Sequence, residues 1–154
     1  MEWPIPLTDG SHGAEALSVF VTGTDVFACG DESNGTSSVA KVWKNGTATA
    51  LTNGSNSAFA YSVFVNGTDV YVAGFESNGN NYVAKVWKNG VATSLTDGSN
   101  DAQATTVFVS GADVYVAGYE SNGNKTVAKI WKNGVATALT DGSNYARATS
   151  VFVK

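Results

Sequence analysis

The sequence predicts an all-β protein made of three copies of one four-stranded antiparallel sheet. Three observations carry that reading. The phrase "KVWKNG" at 41–46 returns at 85–90 and, as "KIWKNG", at 129–134, so the chain repeats every 44 residues. Within each repeat, Val and aromatic residues alternate with small or polar ones at a period of two, and no stretch keeps the 3.6-residue period of a helix. Each apolar run is closed by Gly or Asn; the chain has 17 Gly and only 2 Pro, a composition of many tight turns.

The repeats are 7–50, 51–94 and 95–138, with a partial fourth over 139–154, all within one domain, 1–154. The second repeat shows the elements in order. "SVFVNG" (62–67) is a strand that enters a turn, and "DVYVAGFE" (69–76) is its hairpin partner across an Asn-Gly pair. "YVAKVWKNG" (82–90) is the third strand, and "VATSLTDG" (91–98) follows it through a second hairpin, with Gly90 placed for a left-handed conformation. Trp43, Trp87 and Trp131 supply one large apolar plate per repeat, suited to packing one sheet on the next. Outside the complete repeats, "EWPIPLTDG" (2–10) reads as a spare fourth strand, with Pro4 and Pro6 suited to an edge, and 149–153, ending in "SVFV", as a spare first strand.

A four-stranded sheet with apolar residues on both faces cannot stand alone, whereas stacked sheets cover one another. The period falls among those of propeller blades. On "SVFVNGTDVYVAG" (62–74) and its copies at 18–30 and 106–118, the chain resembles the β-propeller repeat families, most closely the NHL-like and related bacterial blades. It lacks the Trp-Asp signature of WD40 blades and the paired glycines of kelch repeats. The resemblance implies that the first strand of each blade lines a central channel and the fourth lies outermost. Propellers usually have four to eight blades. Three blades leave open edges, so the expectation is a homodimer that closes a six-bladed ring. The alternative is a piece of a longer propeller.

Composition narrows the partners. Hydrophobic residues are 43% and charged residues only 14%, with a net charge of −4 and no run of Lys or Arg. A nucleic-acid partner calls for a basic stripe, which is missing. No stretch is long and apolar enough to span a membrane, and no signal peptide is visible, so the expectation is a soluble chain.

Comparing the repeats with one another locates the candidate site. The turns between first and second strands ("TGTD", "NGTD", "SGAD") and between third and fourth ("KNG") are nearly uniform. The other two connections vary: "SHGAEAL", "SNSAFAY", "SNDAQAT" and "SNYARAT" before the first strands, and "DESNGTSS", "FESNGNNY" and "YESNGNKT" between second and third. In an up-and-down sheet these variable connections emerge on one face, where loops on a rigid scaffold carry binding sites. The candidates are Phe59, Tyr61, Phe75, Tyr82, Tyr119 and Tyr145, flanked by Asn80, Asn81, Asn124 and Gln103. Exposed aromatics beside amides suit a sugar: rings stack on its apolar face and amides bond its hydroxyls. A lectin-like binding module is therefore the expected function; the alternative is an interaction scaffold without a small-molecule ligand.

Catalytic chemistry finds little support. Cys29 and His12 are single, which excludes a zinc site of several Cys and His. Cys29 stands where later repeats have Ala73 and Ala117, the pattern of a small buried side chain. No phosphate loop, nucleophile elbow or His-Glu-x-x-His pattern is present. Asp25, Asp69 and Asp113 are expected to hold the first hairpin by bonding backbone donors, and Glu32, Glu76 and Glu120 to pair diagonally with Lys41, Lys85 and Lys129. "DGSND" (97–101) offers alternating oxygens, a faint calcium pattern without the EF-hand glycine or distant Glu. A hydrolase would need two carboxylates about 5–10 Å apart in a cleft. The chain is expected to be non-catalytic, with no cofactor and no metal.

Overall fold

A computed structural model describes residues 4–154. It contains three four-stranded antiparallel sheets and, among the described residues, no helix. The first sheet is β1 (Ala14–Thr22), β2 (Asp25–Ser33), β3 (Ser38–Lys44) and β4 (Thr47–Ala50). The second is β5 (Ala58–Asn66), β6 (Asp69–Ser77), β7 (Tyr82–Lys88) and β8 (Val91–Ser94). The third is β9 (Ala102–Ser110), β10 (Asp113–Ser121), β11 (Thr126–Lys132) and β12 (Val135–Ala138). In each, strands pair in chain order.

The two hairpin turns differ in chemistry. In "KNG", Asn89 and Gly90 both take positive φ, 51° and 82°, the requirement of a type I′ turn. Asn89 Oδ1 accepts from the Val70 amide, and its Nδ2 donates to Asp69 Oδ1 at 2.8 Å. Lys88 reaches the same carboxylate at 2.8 Å. Each three-residue phrase thus clamps the third–fourth turn onto the start of the second strand, and the first and third sheets repeat the clamp. The expectation for Asp69 changes accordingly: its partners are side chains of the neighbouring turn rather than backbone donors. In the first hairpin the pair spanning the turn is Gly67-Thr68, with Gly67 alone at positive φ, rather than Asn-Gly. The diagonal ion pairs Glu32–Lys41, Glu76–Lys85 and Glu120–Lys129 all form.

Neighbouring sheets stack face to face. β1 lies beside β5 and β5 beside β9, while the fourth strands stay exposed and make no such contact, so the sheets converge on their first strands. Ala58, Ala60, Val63 and Val65 of β5 pack on Phe27, Cys29, Ala40 and Leu51, with Trp87 in the same cluster. The equivalent set recurs one repeat later, where Ala102, Ala104, Val107 and Val109 meet Tyr71, Ala73 and Ala84 with Trp131. The three Trp are fully buried, as the repeat pattern predicts, and their indole N–H groups find no acceptor among the described residues. Cys29 is wholly buried, which pushes its thiol up to about 12. Along the converging edge, Phe20, Phe64, Phe108 and Phe152 form a ladder with ring centroids 5.0, 4.8 and 5.1 Å apart.

The flanking segments correct one expectation. Residues 4–10 and 149–153 form no strand. They nevertheless hold positions equivalent to strands of further repeats. Leu7 lines one cleft with Trp43, and Ala146 and Ala148 donate backbone bonds to Thr126 and Gly118.

Candidate functional site

The end of the sheets opposite the KNG turns is organised by Asn and Ser. In "ESNG", Asn78 Oδ1 accepts from the amides of Asn80 and Asn81, and its Nδ2 donates to the Gly98 carbonyl at 3.0 Å. Asn34 and Asn122 do the same for Gly54 and Gly142. In "DGSND", Asp97 Oδ1 accepts from the Ser99 amide and hydroxyl, which holds its carboxyl below the usual carboxylate range. These phrases build turns and tie one connection to the other. No group of three or more His, Cys, Asp or Glu side chains is assembled for a metal among the described residues.

The first strands begin earlier than the sequence suggests and carry a register shift, between Ala60 and Ser62 in β5. The bulge lets Ala58, Ala60, Val63 and Val65 all face the preceding sheet, and frees Phe59 and Tyr61 for the opposite side. It also brings the Phe59 carbonyl onto Gly74: a Cβ there would lie 1.9 Å from that oxygen. Gly30 and Gly118 face the same constraint.

Cross-strand register then assembles the variable positions. Glu15 stands opposite Asp31, Phe59 opposite Phe75, and Gln103 opposite Tyr119. One repeat further on, the place of Gln103 is taken by Arg147, whose guanidinium lies 4.4 Å from the Tyr119 ring centroid. Phe75 is the hub of an aromatic cluster: Phe59 at 5.1 Å, Tyr61 at 5.7 Å and Tyr82 at 4.6 Å between centroids. Tyr61 Oη and Gln103 Oε1 are 3.5 Å apart across the two sheets. Burial raises the phenol pKa of both Tyr61 and Tyr119.

Six of the ten expected residues therefore sit on strands rather than in loops: Phe59, Tyr61, Phe75, Tyr82, Gln103 and Tyr119. Phe75 and Tyr119 are buried, 3% and 6% exposed, instead of open to solvent: Phe75 is covered by the very rings expected to lie free beside it, and the Arg147 guanidinium lies over Tyr119. Tyr82 (42%) and Tyr145 (69%) are exposed, the latter beneath Lys125 Nζ at 4.3 Å. Asn81 is committed to structure, since its Nδ2 bonds the carbonyls of Gly98 and Ser99. Asn80 and Asn124 remain in the turns, joined through their backbone amides.

Sequence reasoning missed Asp31, Lys125 and Arg147. Asp31 is buried with one carboxylate oxygen unpartnered, and desolvation raises its pKa, opposed by the Ser38 hydroxyl and reinforced by Glu15. The signal was available: Asp31 is the odd residue among Asp31, Phe75 and Tyr119, and Arg147 is the one cation among Glu15, Phe59, Gln103 and Arg147. The variable end thus runs from carboxylates on the first sheet, through aromatics on the second, to an amide and cations beside the third.

Two cavities of about 250 and 230 Å³ lie elsewhere, in equivalent clefts between sheets. The first is bounded by Phe27, Val42, Leu51 and Val72, the second by Tyr71, Val86, Leu95 and Val116, and neither includes a candidate residue. No protein-family model matches the chain, and no curated protein sequence matches it.

Proposed function

We propose that the chain is a non-catalytic binding module of the propeller type, that its variable end holds a carbohydrate, and that a second copy completes the ring to six blades. The observation that carries the binding site is the row of non-repeating side chains. Among the positions that change from repeat to repeat, Glu15/Phe59/Gln103/Arg147 and Asp31/Phe75/Tyr119 adjoin at one end. Tyr82 offers an exposed ring for stacking on the C–H face of a sugar. Gln103 and Asp31 supply donors and acceptors for hydroxyls, in fixed positions on strands.

A second reading, a protein-interaction scaffold, draws on a different observation: the apolar outer face of β1, where Val19 and Val21 are exposed. A glycan array separates the two. Binding to a defined sugar that weakens at least tenfold in Tyr82→Ala supports the first; no binding to any sugar by the folded chain overturns it.

A further inference from the structure

The two ends of the stack are the two halves of an interface that the chain already makes twice. In β5, Ala58, Ala60, Val63 and Val65 are buried against the first sheet, and in β9 their equivalents are buried against the second. β1 presents the same series, Ala14, Ala16, Val19 and Val21, with nothing comparable upon it: Val19 is 65% and Val21 61% exposed, against 4% and 7% for Val63 and Val65. A cavity of about 360 Å³ marks the place, bounded by Leu17, Val19, Val26 and Ala28 of the sheet and by Ile5 and Leu7.

At the other end, the third sheet shows the complementary half. Leu139, equivalent to the buried Leu51, is 56% exposed. The seat of a following first strand is held there by residues 146–153, which repeat the spacing of Ala14, Ala16, Val19 and Val21 as Ala146, Ala148, Val151 and Val153. This segment is attached by few bonds: two backbone amides, the Thr105 hydroxyl to the Ala148 carbonyl at 2.7 Å, Arg147 over Tyr119, and Phe152, 71% exposed, against Phe108. Lacking a ladder to a second strand of its own, it is held less firmly than β1, which pairs with β2 along its length.

We propose that a second copy of this chain docks head to tail on these faces by displacement. Its β1 enters the seat held by residues 146–153, and Leu139 takes the position of Leu7 on the incoming Trp43. The inference rests on the ring reading above and adds how the ring closes. The two copies cannot both keep their flanking segments seated, because residues 134–154 of one and 2–22 of the next are the same piece of the repeat. The gain is a paired, four-stranded sheet in place of an unpaired segment, with Val19 and Val21 removed from water.

The test uses the full chain. Light scattering over a range of concentrations should show a dimer, and Val19→Glu or Leu139→Glu should weaken it at least about a hundredfold by burying an unpaired charge. Both positions are exposed in the single chain, so the melting temperature of the monomeric variants should stay within a few degrees of the parent monomer. Val63→Glu, on the buried equivalent, should instead unfold the chain. Trypsin should cut after Arg147 readily in the dimer and slowly in the monomeric variants. A monomer at every concentration overturns the ring reading and this inference together. A dimer that tolerates both glutamates overturns docking through these faces. A dimer lost in both variants, with Arg147 equally protected before and after, overturns displacement alone.

Discussion

The two ends of the sheets are built by opposite rules. At the KNG end, the same three side chains close every sheet: a Lys and an Asn converge on one Asp, and the Asn also caps the second strand. Just inside it lies the buried Trp, which for Trp87 and Trp131 joins the sheet to its neighbour. At the other end the backbone is equally uniform, fixed by Asn78 and its equivalents, but the side chains it displays change from sheet to sheet. One end holds the stack together and leaves no freedom. The other is held by turn chemistry, which frees Phe59, Tyr61, Tyr82, Gln103 and Arg147 to differ.

Several substitutions sharpen that contrast. The largest effect is expected where the variable end meets its rigid support. Gly74→Ala places a methyl against the Phe59 carbonyl and should cost about 3 kcal/mol or more, read by denaturant unfolding. Unchanged stability would show that the bulge yields easily. Asn89→Ala should cost roughly 1–2 kcal/mol, because it removes two hydrogen bonds and puts a non-glycine residue other than Asn at positive φ. Asn89→Gly, which keeps the conformation and loses only the bonds, should cost less.

Asp31 should respond to pH in the direction opposite to the carboxylates of the KNG end. Lys88 and Asn89 lower the pKa of Asp69, and the first and third sheets do the same for Asp25 and Asp113. Their contribution is present above the ordinary carboxylate value and is lost as pH falls through the lowered folded values, below about pH 4. Burial raises Asp31 instead, so its ionisation opposes folding at neutral pH, and stability returns as pH falls through its raised value. Asp31→Asn should therefore raise the melting temperature at pH 7, with the advantage fading below pH 4. An equal shift at both pH values would mean that packing rather than charge sets the effect. The smallest change is expected at Cys29: in the folded chain at pH 8 a thiol reagent should leave it unmodified, and labelling should appear only on unfolding.

Much of the fold was legible because period-two patterning and Asn-Gly turns act locally. β2 and β3, the KNG turn, the buried Trp and the three Glu–Lys pairs follow from spacing alone. The early part of each first strand did not, because the bulge at Tyr61 shifts the alternation by one residue and makes "AFAY" resemble a connection. The same shift explains why Phe59, Tyr61 and Gln103 were expected in loops. Burial of Phe75 depends on rings contributed by other strands, and Tyr119 lies under Arg147 from beyond its own sheet, which local pattern does not reveal. Asp31 was overlooked because an acid beside "ESNG" looks like part of a turn, whereas register places it opposite Glu15 inside the sheet.

Thermal unfolding of Trp87→Ala and Tyr82→Ala, side by side, tests the division between the two ends most directly. Trp87 is wholly buried between sheets, and its loss should cost about 3–5 kcal/mol. Tyr82 touches Phe75 at one edge and is otherwise open, so its loss should cost no more than about 1.5 kcal/mol. A large drop for Trp87→Ala beside a small one for Tyr82→Ala is the predicted result. Equal destabilisation by both would contradict it, for the variable end would then be part of what holds the stack together.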